Sequence, residues 1–555
     1  MKFSKFLIAL TVSFALICSP MSAEADDGTW SVSTWEYPFN PNMALLNTPS
    51  ILATSKMAQP SSDPTDSIRS YLCSDMKGPN CTSDAIEQAS LLMPLCADAQ
   101  SRFCVKSFSL TLADGSKYTS HLLSGFNQPE SQALPERGLP AGSTGQLWSA
   151  PESLKDQGVD GFYIAVREEF FTLPTLGDNK FKSWHTTAVV APYREIVSSS
   201  ALTPQFQTGR DNSTGKLHIF FYPAAGYCAA LPGNPLNIWQ AEHRCGYMSS
   251  FPDGVRPELS FRDLPNSSNW FNARLDDPQI TSASSSDYRD VTVSGLPVTI
   301  PTVSYGGNLD EEVKTAFSTA FGPLFDGTSY NWLIPSNHAL ALKQLSPFLK
   351  VGKDTATSSL QAWSLSSVSP NTIVGPLYRC VTSTSGVAGI VSMNSTVYDA
   401  GTPALEDGSL NFHVAAPHYA ADGTTPNEGS YTLLMNDDVA RCIYGFSKGP
   451  VQAKVSVWAS DGTEKTATTI VSDKDGWLKL TARGFTYSSP TIKATLTQPT
   501  PTATPSPAPT QSSNAADAAP PVTQKLMRIT CTKGKLTKKV TAVSPKCPAG
   551  YKKKA

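Results

Sequence analysis

Charge is scarce in this chain: only 16% of its 555 residues are Asp, Glu, Lys or Arg, and only seven are histidine. No C-x-x-C spacing occurs, which removes zinc ribbons and thioredoxin-type redox sites. H-E-x-x-H, a Walker loop and a G-x-G-x-x-G opening a helix are also missing, so neither a zinc-protease helix nor a nucleotide cradle is encoded. After the N-terminus no apolar run approaches the ~18 to 20 residues of a bilayer span. No LPxTG-type sorting pattern occurs. The expectation is no cofactor, no metal and no transmembrane segment.

What is present is organised around a Pro/Thr-rich stretch, Thr497 to Gln524, in which seven of 28 residues are proline and none is aromatic. Such a segment cannot bury enough apolar surface to offset chain entropy, so it is expected to stay disordered and extended, at about 3 Å per residue. It reads either as an interdomain hinge or as a spacer across a cell envelope. Upstream, residues 1–25 combine Lys2 and Lys5, an apolar run from Phe6 to Ile17, and the small-residue ending Ala23-Glu24-Ala25. That is the pattern of a secretory signal peptide. Ile17 before Cys18 argues against a lipoprotein signal. Downstream, residues 525–555 carry ten Lys or Arg and no acid. With the leader's two lysines and one glutamate set aside, the residues between keep 32 basic against 45 acidic side chains, a net charge near −13. Lys533, Lys535, Lys538, Lys539, Lys546, Lys552, Lys553 and Lys554 are the candidate contacts to anionic envelope polymers or polysaccharide. Nucleic acid would suit the same charge, but export argues against it.

Setting aside Cys18 leaves ten cysteines, an even number that favours disulfides in an exported chain. Cys73 with Cys81, Cys96 with Cys104, Cys228 with Cys245, Cys380 with Cys442 and Cys531 with Cys547 are the expected pairs. For the first four a nested pairing stays open.

Low charge, abundant Ser and Thr, 43 prolines and 36 glycines fit extracellular β structure with many turns. The expected fold is mainly β: disulfide-stapled β-sandwich-like modules with a few short helices, in several domains. The segments are a leader (1–25), a disulfide-containing β-rich region (26–305), a mixed α/β region (306–427), a small Ig-like sandwich (428–496), the linker (497–524) and the cationic two-cysteine tail (525–555). Helices are expected at Asp84–Met93, at Glu311–Phe321 before Gly322-Pro323, and around His338–Leu345. Strands are expected at Phe162–Val166, Thr187–Ala191, Leu217–Tyr222, Val291–Val293 and Pro297–Ile300. In the sandwich they fall at Tyr431–Met435, Arg441–Phe446, Val451–Val457, Thr466–Val471, Trp477–Ala482 and Thr491–Leu496, with Asp461-Gly462 and Asp475-Gly476 as turns.

RCIYGFSKGP, DKDGWLKLTARGFTYSSPTIKATL, the tail ITCTKGKLTKKVTAVSPKCPAGYKKK and SNWFNARLDDPQI followed by VTVSGLPVTIP resemble a group of uncharacterised actinobacterial exported proteins. The resemblance covers about a third of the chain and is most specific in the tail. It implies a surface or secreted protein and transfers no catalytic residues.

Catalytic patterns are weak. Gly445-Phe446-Ser447-Lys448-Gly449 matches G-x-S-x-G, but a nucleophile elbow needs a strand before it and a helix after it, and here Pro450 and a strand follow. His413 and His418 are five apart, which suits neither a strand face nor a helix face for metal binding. Glu168-Glu169, Asp276-Asp277 and Asp437-Asp438 read as surface charge rather than opposed glycosidase acids. Trp239, Trp270, Trp332, Trp363 and Trp477 read as core, and Trp458 as the best exposed platform for a sugar. The function expected is a non-enzymatic surface, binding or scaffold protein held at the envelope by its tail. The alternative is a secreted hydrolase of wall or extracellular polysaccharide.

Overall fold

The strand Gly161–Leu173 sets the plan of the molecule. Phe162, Ile164 and Val166 enter one core while the intervening Tyr163 and Ala165 enter another. A strand apolar at every position must be covered on both faces, because successive side chains alternate. Each such buried side chain contributes roughly 1.5–3 kcal/mol over its exposed state. Its neighbour Asp178–Ile196 repeats the pattern, with Ala188 and Val190 on one face and Val189 and Ala191 on the other, in antiparallel register Val189↔Ala165.

The computed structural model describes residues 29–36, 50–56, 69–73, 86–125, 130–173, 178–196, the strand segments 206–210, 217–221, 227–229 and 244–248, then 249–447 without 266, 326, 328–329, 370–371 and 374, 452–497 without 459–461, 466 and 488–489, and 527–553 without 534–535, 543–546 and 548–550. The leader, Cys81, Lys535, Lys546, Lys554 and nearly all of the Pro/Thr stretch lie outside these residues. The chain divides into two compact units, Met1–Pro499 and Thr500–Ala555.

The fold is mainly β, as expected. In the first unit a long sheet runs Arg69–Cys73, Ile51–Lys56, Gln88–Leu92, Gly161–Leu173, Asp178–Ile196, Ser358–Ser367, Trp270–Arg274, Gly389–Met393, Glu428–Asn436, Trp477–Thr486, Thr468–Lys474. Strands from residues 26–305, 306–427 and 428–496 thus lie side by side within it. A five-stranded sheet covers one face: Asp276–Ser284, Arg289–Leu296, Arg256–Asp263, Cys104–Thr111 and Lys117–Thr119. It supplies Phe108, Leu259, Phe261, Val291 and Val293 to the core between them. Near its other end the long sheet is faced by strands including Ser409–Ala415, Thr491–Thr497 and Gln452–Trp458, which enclose Phe412, Val457, Ile492, Tyr431 and Leu480. The strands expected to form one small sandwich are divided between these two facing sheets.

A third core lies under a small sheet ordered Ser304–Asn308, Thr29–Trp35, Asn331–Pro335, whose middle strand is the first described segment of the chain. Helix α1 (Glu311–Phe321) and helix α2 (Ala341–Val351) pack Phe317 and Phe348 against Trp30, with ring centroids at 6.2 and 6.0 Å. Asp310 Oδ1 caps α1 by accepting from the Val313 amide at 2.9 Å.

Two local expectations are corrected. The helix expected at Asp84–Met93 is replaced by the strand Gln88–Leu92. Ile86, Ala89 and Met93 fit helical spacing, but Ala89, Leu91 and Met93 fit period two equally well. Partners on both sides, Ile51–Lys56 and Gly161–Leu173, settle the choice. The strand expected at Arg441–Phe446 belongs to a helix. Among the described residues two helices follow α2: α3 (Pro376–Thr382) and α4 (Asp437–Tyr444). Asn436 caps α4, two aspartates occupy its first turn, Val439, Ala440 and Ile443 are buried, and Gly445 closes it at φ 66°.

Candidate functional site

In the second unit, Met527–Lys533 pairs with Leu536–Ala542 on one side and Lys552–Lys553 on the other. The register sets Lys538 and Lys553 on either side of Cys531, and Lys539 opposite Thr530, with Lys552 opposite Thr532. Lys552 and Lys553 are exposed. Cys547 is disulfide-bonded. The cationic segment is thus a small three-stranded antiparallel sheet.

In the first unit the Cys96–Cys104 and Cys380–Cys442 disulfides are present, spanning eight and 62 residues. Cys228 and Cys245 stand opposite each other in antiparallel register. The pair proposed for Cys73 has its partner outside the described residues.

The Cys380–Cys442 bond ties α3 to α4 beside a polar cleft of about 450 Å³. Its walls come from three places. The strand Asp276–Ser284 contributes Ser282 and Ser284, the turn after α3 contributes Ser383, Thr384 and Ser385, and the start of α4 contributes Asn436 and Asp438. Gly386 makes the turn's close approach possible, since a Cβ there would meet Ser282 Oγ at 2.7 Å. Val387 N donates to Ser282 Oγ at 3.0 Å, and Ser284 Oγ donates to the Ser385 carbonyl. The Ser383 and Thr384 hydroxyls both donate to the Cys380 carbonyl, at 3.3 and 2.9 Å. No sequence motif marks this cleft. The serines lie about a hundred residues apart in sequence, and only the disulfide spacing pointed toward the place.

Elsewhere, charge expected at the surface is inside. Glu168 is fully buried. Its Oε1 accepts from Ser267 Oγ at 2.8 Å while Oε2 has no hydrogen-bond partner. Burial, reinforced by the negative charge of Asp263, pushes its carboxyl up to about 8. Asp263, also fully buried, grips Arg289 through two bonds, and Arg289 Nη1 donates to Asn269 Oδ1 at 2.7 Å. Glu168 departs from the surface reading because strand alternation turns it inward where Glu169 turns outward. The Asp276-Asp277 pair is not idle surface charge either. Asp277 binds Arg256 at 2.6 Å and also Lys479, and Asp276 binds Arg483, fastening the five-stranded sheet to Trp477–Thr486. In the third pair, Asp437 bonds Arg441 at 2.8 Å and Asp438 is exposed in the cleft.

Three serine–histidine contacts occur among the described residues. Ser149 Oγ lies 2.9 Å from His121 Nδ1, Ser366 Oγ lies 3.1 Å from His185 Nε2, and Ser367 Oγ lies 3.5 Å from His185 Nδ1. Ser149 is 5% exposed and shares its hydroxyl with Tyr118 and the His121 amide, so it works as a strand-to-strand link rather than a presented nucleophile. Burial lowers His185 below the ordinary imidazole value. Ser447 follows α4, so its G-x-S-x-G lacks the preceding strand that an elbow requires, and its carbonyl accepts from Arg441. His413 pairs with Asp399 at 2.9 Å, and His418 with the Tyr487 carbonyl at 2.7 Å. Trp270 and Trp363 are core, and half-buried Trp458 already carries Lys493 Nζ over its ring at 5.0 Å. No group of three metal-ligating side chains is present among the described residues, nor any helix long and apolar enough to cross a membrane. No protein-family model matches the chain, and no curated protein matches it.

Proposed function

We propose that this is an exported, envelope-associated binding or scaffold protein whose cationic C-terminal segment retains it on anionic polymers or polysaccharide. The observation that carries the reading is the segregation of charge: ten basic and no acidic residues after position 524, against a net negative remainder. A lysine sheet reached through a Pro/Thr stretch can bind a polyanion without requiring the body to touch it. Such binding is dominated by Coulomb attraction and weakens as salt rises. The test is co-sedimentation with purified bacterial cell walls, comparing a chain starting at Asp26 with one that also ends at Gln524. The longer chain is expected to pellet at low salt and to be released at high salt, while the shorter one stays in solution. Equal pelleting of both would remove the retention role.

A further inference from the structure

The cleft beside Cys380–Cys442 has a definite hydrogen-bonding bias, and the geometry points to it as a binding site for a protonated primary amine on a hydroxylated small molecule, the amino-sugar class. This rests on the binding-protein reading and deepens it by naming what the body would hold. At about 450 Å³ the cleft falls within the size range of small-molecule sites. Beside the disulfide, Gly386 and Val387, its lining is hydroxyl, amide and carboxylate, with no aromatic and no basic side chain.

A serine or threonine hydroxyl has one proton and two acceptor lone pairs. Ser284, Ser383 and Thr384 each commit that proton to a backbone carbonyl, so toward the cleft they offer acceptor capacity. Asp438 adds a carboxylate that has no ionic partner among the described residues, and acceptance is all an ionised carboxylate can do. The acceptors around one negative charge disfavour phosphates, uronates and other anions. It favours a ligand rich in N–H and O–H donors with a positive charge at one point. Ser282, Ser385 and the Asn436 amide keep protons for the ligand's own hydroxyl oxygens. The disulfide and the Asn436 cap hold the turn after α3 and the start of α4 in place before any ligand arrives, so little ordering is left there for binding to accomplish.

The test is isothermal titration of the intact mature chain with glucosamine, N-acetylglucosamine and glucose. Two variants at exposed cleft positions accompany it: Asp438→Asn, which removes the charge, and Ser385→Trp, which fills the space. Glucosamine is expected to bind at least tenfold more tightly than the other two sugars. Both variants are expected to lose at least tenfold of that affinity while keeping the wild-type circular dichroism. No heat with glucosamine would overturn the proposal, as would equal binding of glucosamine and its N-acetyl form or full affinity in both variants. Wall co-sedimentation of the same variants separates the two ideas, because retention by the C-terminal segment does not involve Asp438 or Ser385.

Discussion

Arg274 and Arg289 are both sealed in the core, with side-chain exposures of 1% and 0%, yet they are partnered differently. Arg274 faces one carboxylate, Glu36, in a two-pronged pair at 2.8 and 2.6 Å, with the Met393 carbonyl and the Tyr398 ring completing its surroundings. Arg289 is held by Asp263, with Glu168 close enough for its charge to be felt, so two acids share one base. A one-to-one pair is neutral when both members are ionised. A two-to-one cluster is neutral only while one acid keeps its proton, and Glu168 is the one with an unsatisfied oxygen. The stoichiometry of a buried ion cluster therefore decides whether it responds to pH.

The largest expected effect comes from breaking either cluster. Arg274→Met strands Glu36 and should cost about 3 to 5 kcal/mol in urea unfolding, and adding Glu36→Leu should recover most of it. Recovery of less than half would mean that the pair does more than neutralise itself. Arg289→Met should cost a comparable amount at pH 7 but less at pH 5, where its two acids can both accept protons.

Next comes the pH response of the two-to-one site. Glu168 sits at about 8 in the fold against an ordinary 4.5, so its contribution is fully present below pH 4.5 and is lost as pH rises toward 8. Glu168→Gln keeps a neutral side chain, and its stability relative to the wild type should climb through that window. Parallel stability–pH curves for the two proteins would show that Glu168 does not titrate there.

The smallest effect belongs to an exposed counterpart. His413 and Asp399 have side chains 47% and 31% exposed. The hydrogen bond to Asp399 raises the His413 imidazole above 6.5, so this stabilisation is present below 6.5 and fades as pH rises through the folded value. Asp399→Asn should cost less than about 1 kcal/mol at pH 5 and nothing at pH 9. A cost like that of the Arg274 variant would place this pair among the buried ones.

Much of the β character was legible because alternation is local. Val455 and Val457 are buried, and α1 begins and ends at the residues its cap and glycine dictate. What stayed hidden depends on partners. Ala89 and Leu91 form a strand because neighbours wait on both sides, and Glu168 looks like Glu169 until the sheet places one in the core. The cleft was illegible for the same reason: Ser282, Ser385 and Asp438 carry no shared pattern until three segments converge.

The strand Thr29–Trp35 has a kinetic consequence. It is the middle member of its sheet, and Ser31 bonds Asn331 across 300 residues of chain. Chains are made from the N-terminus at about 5–20 residues per second, so the partner strand Asn331–Pro335 emerges roughly 15 to 60 s after Thr29–Trp35 itself. For that interval Trp30 and Val32 have nowhere native to go. A strand made near the start of the chain is thus among the last that can dock.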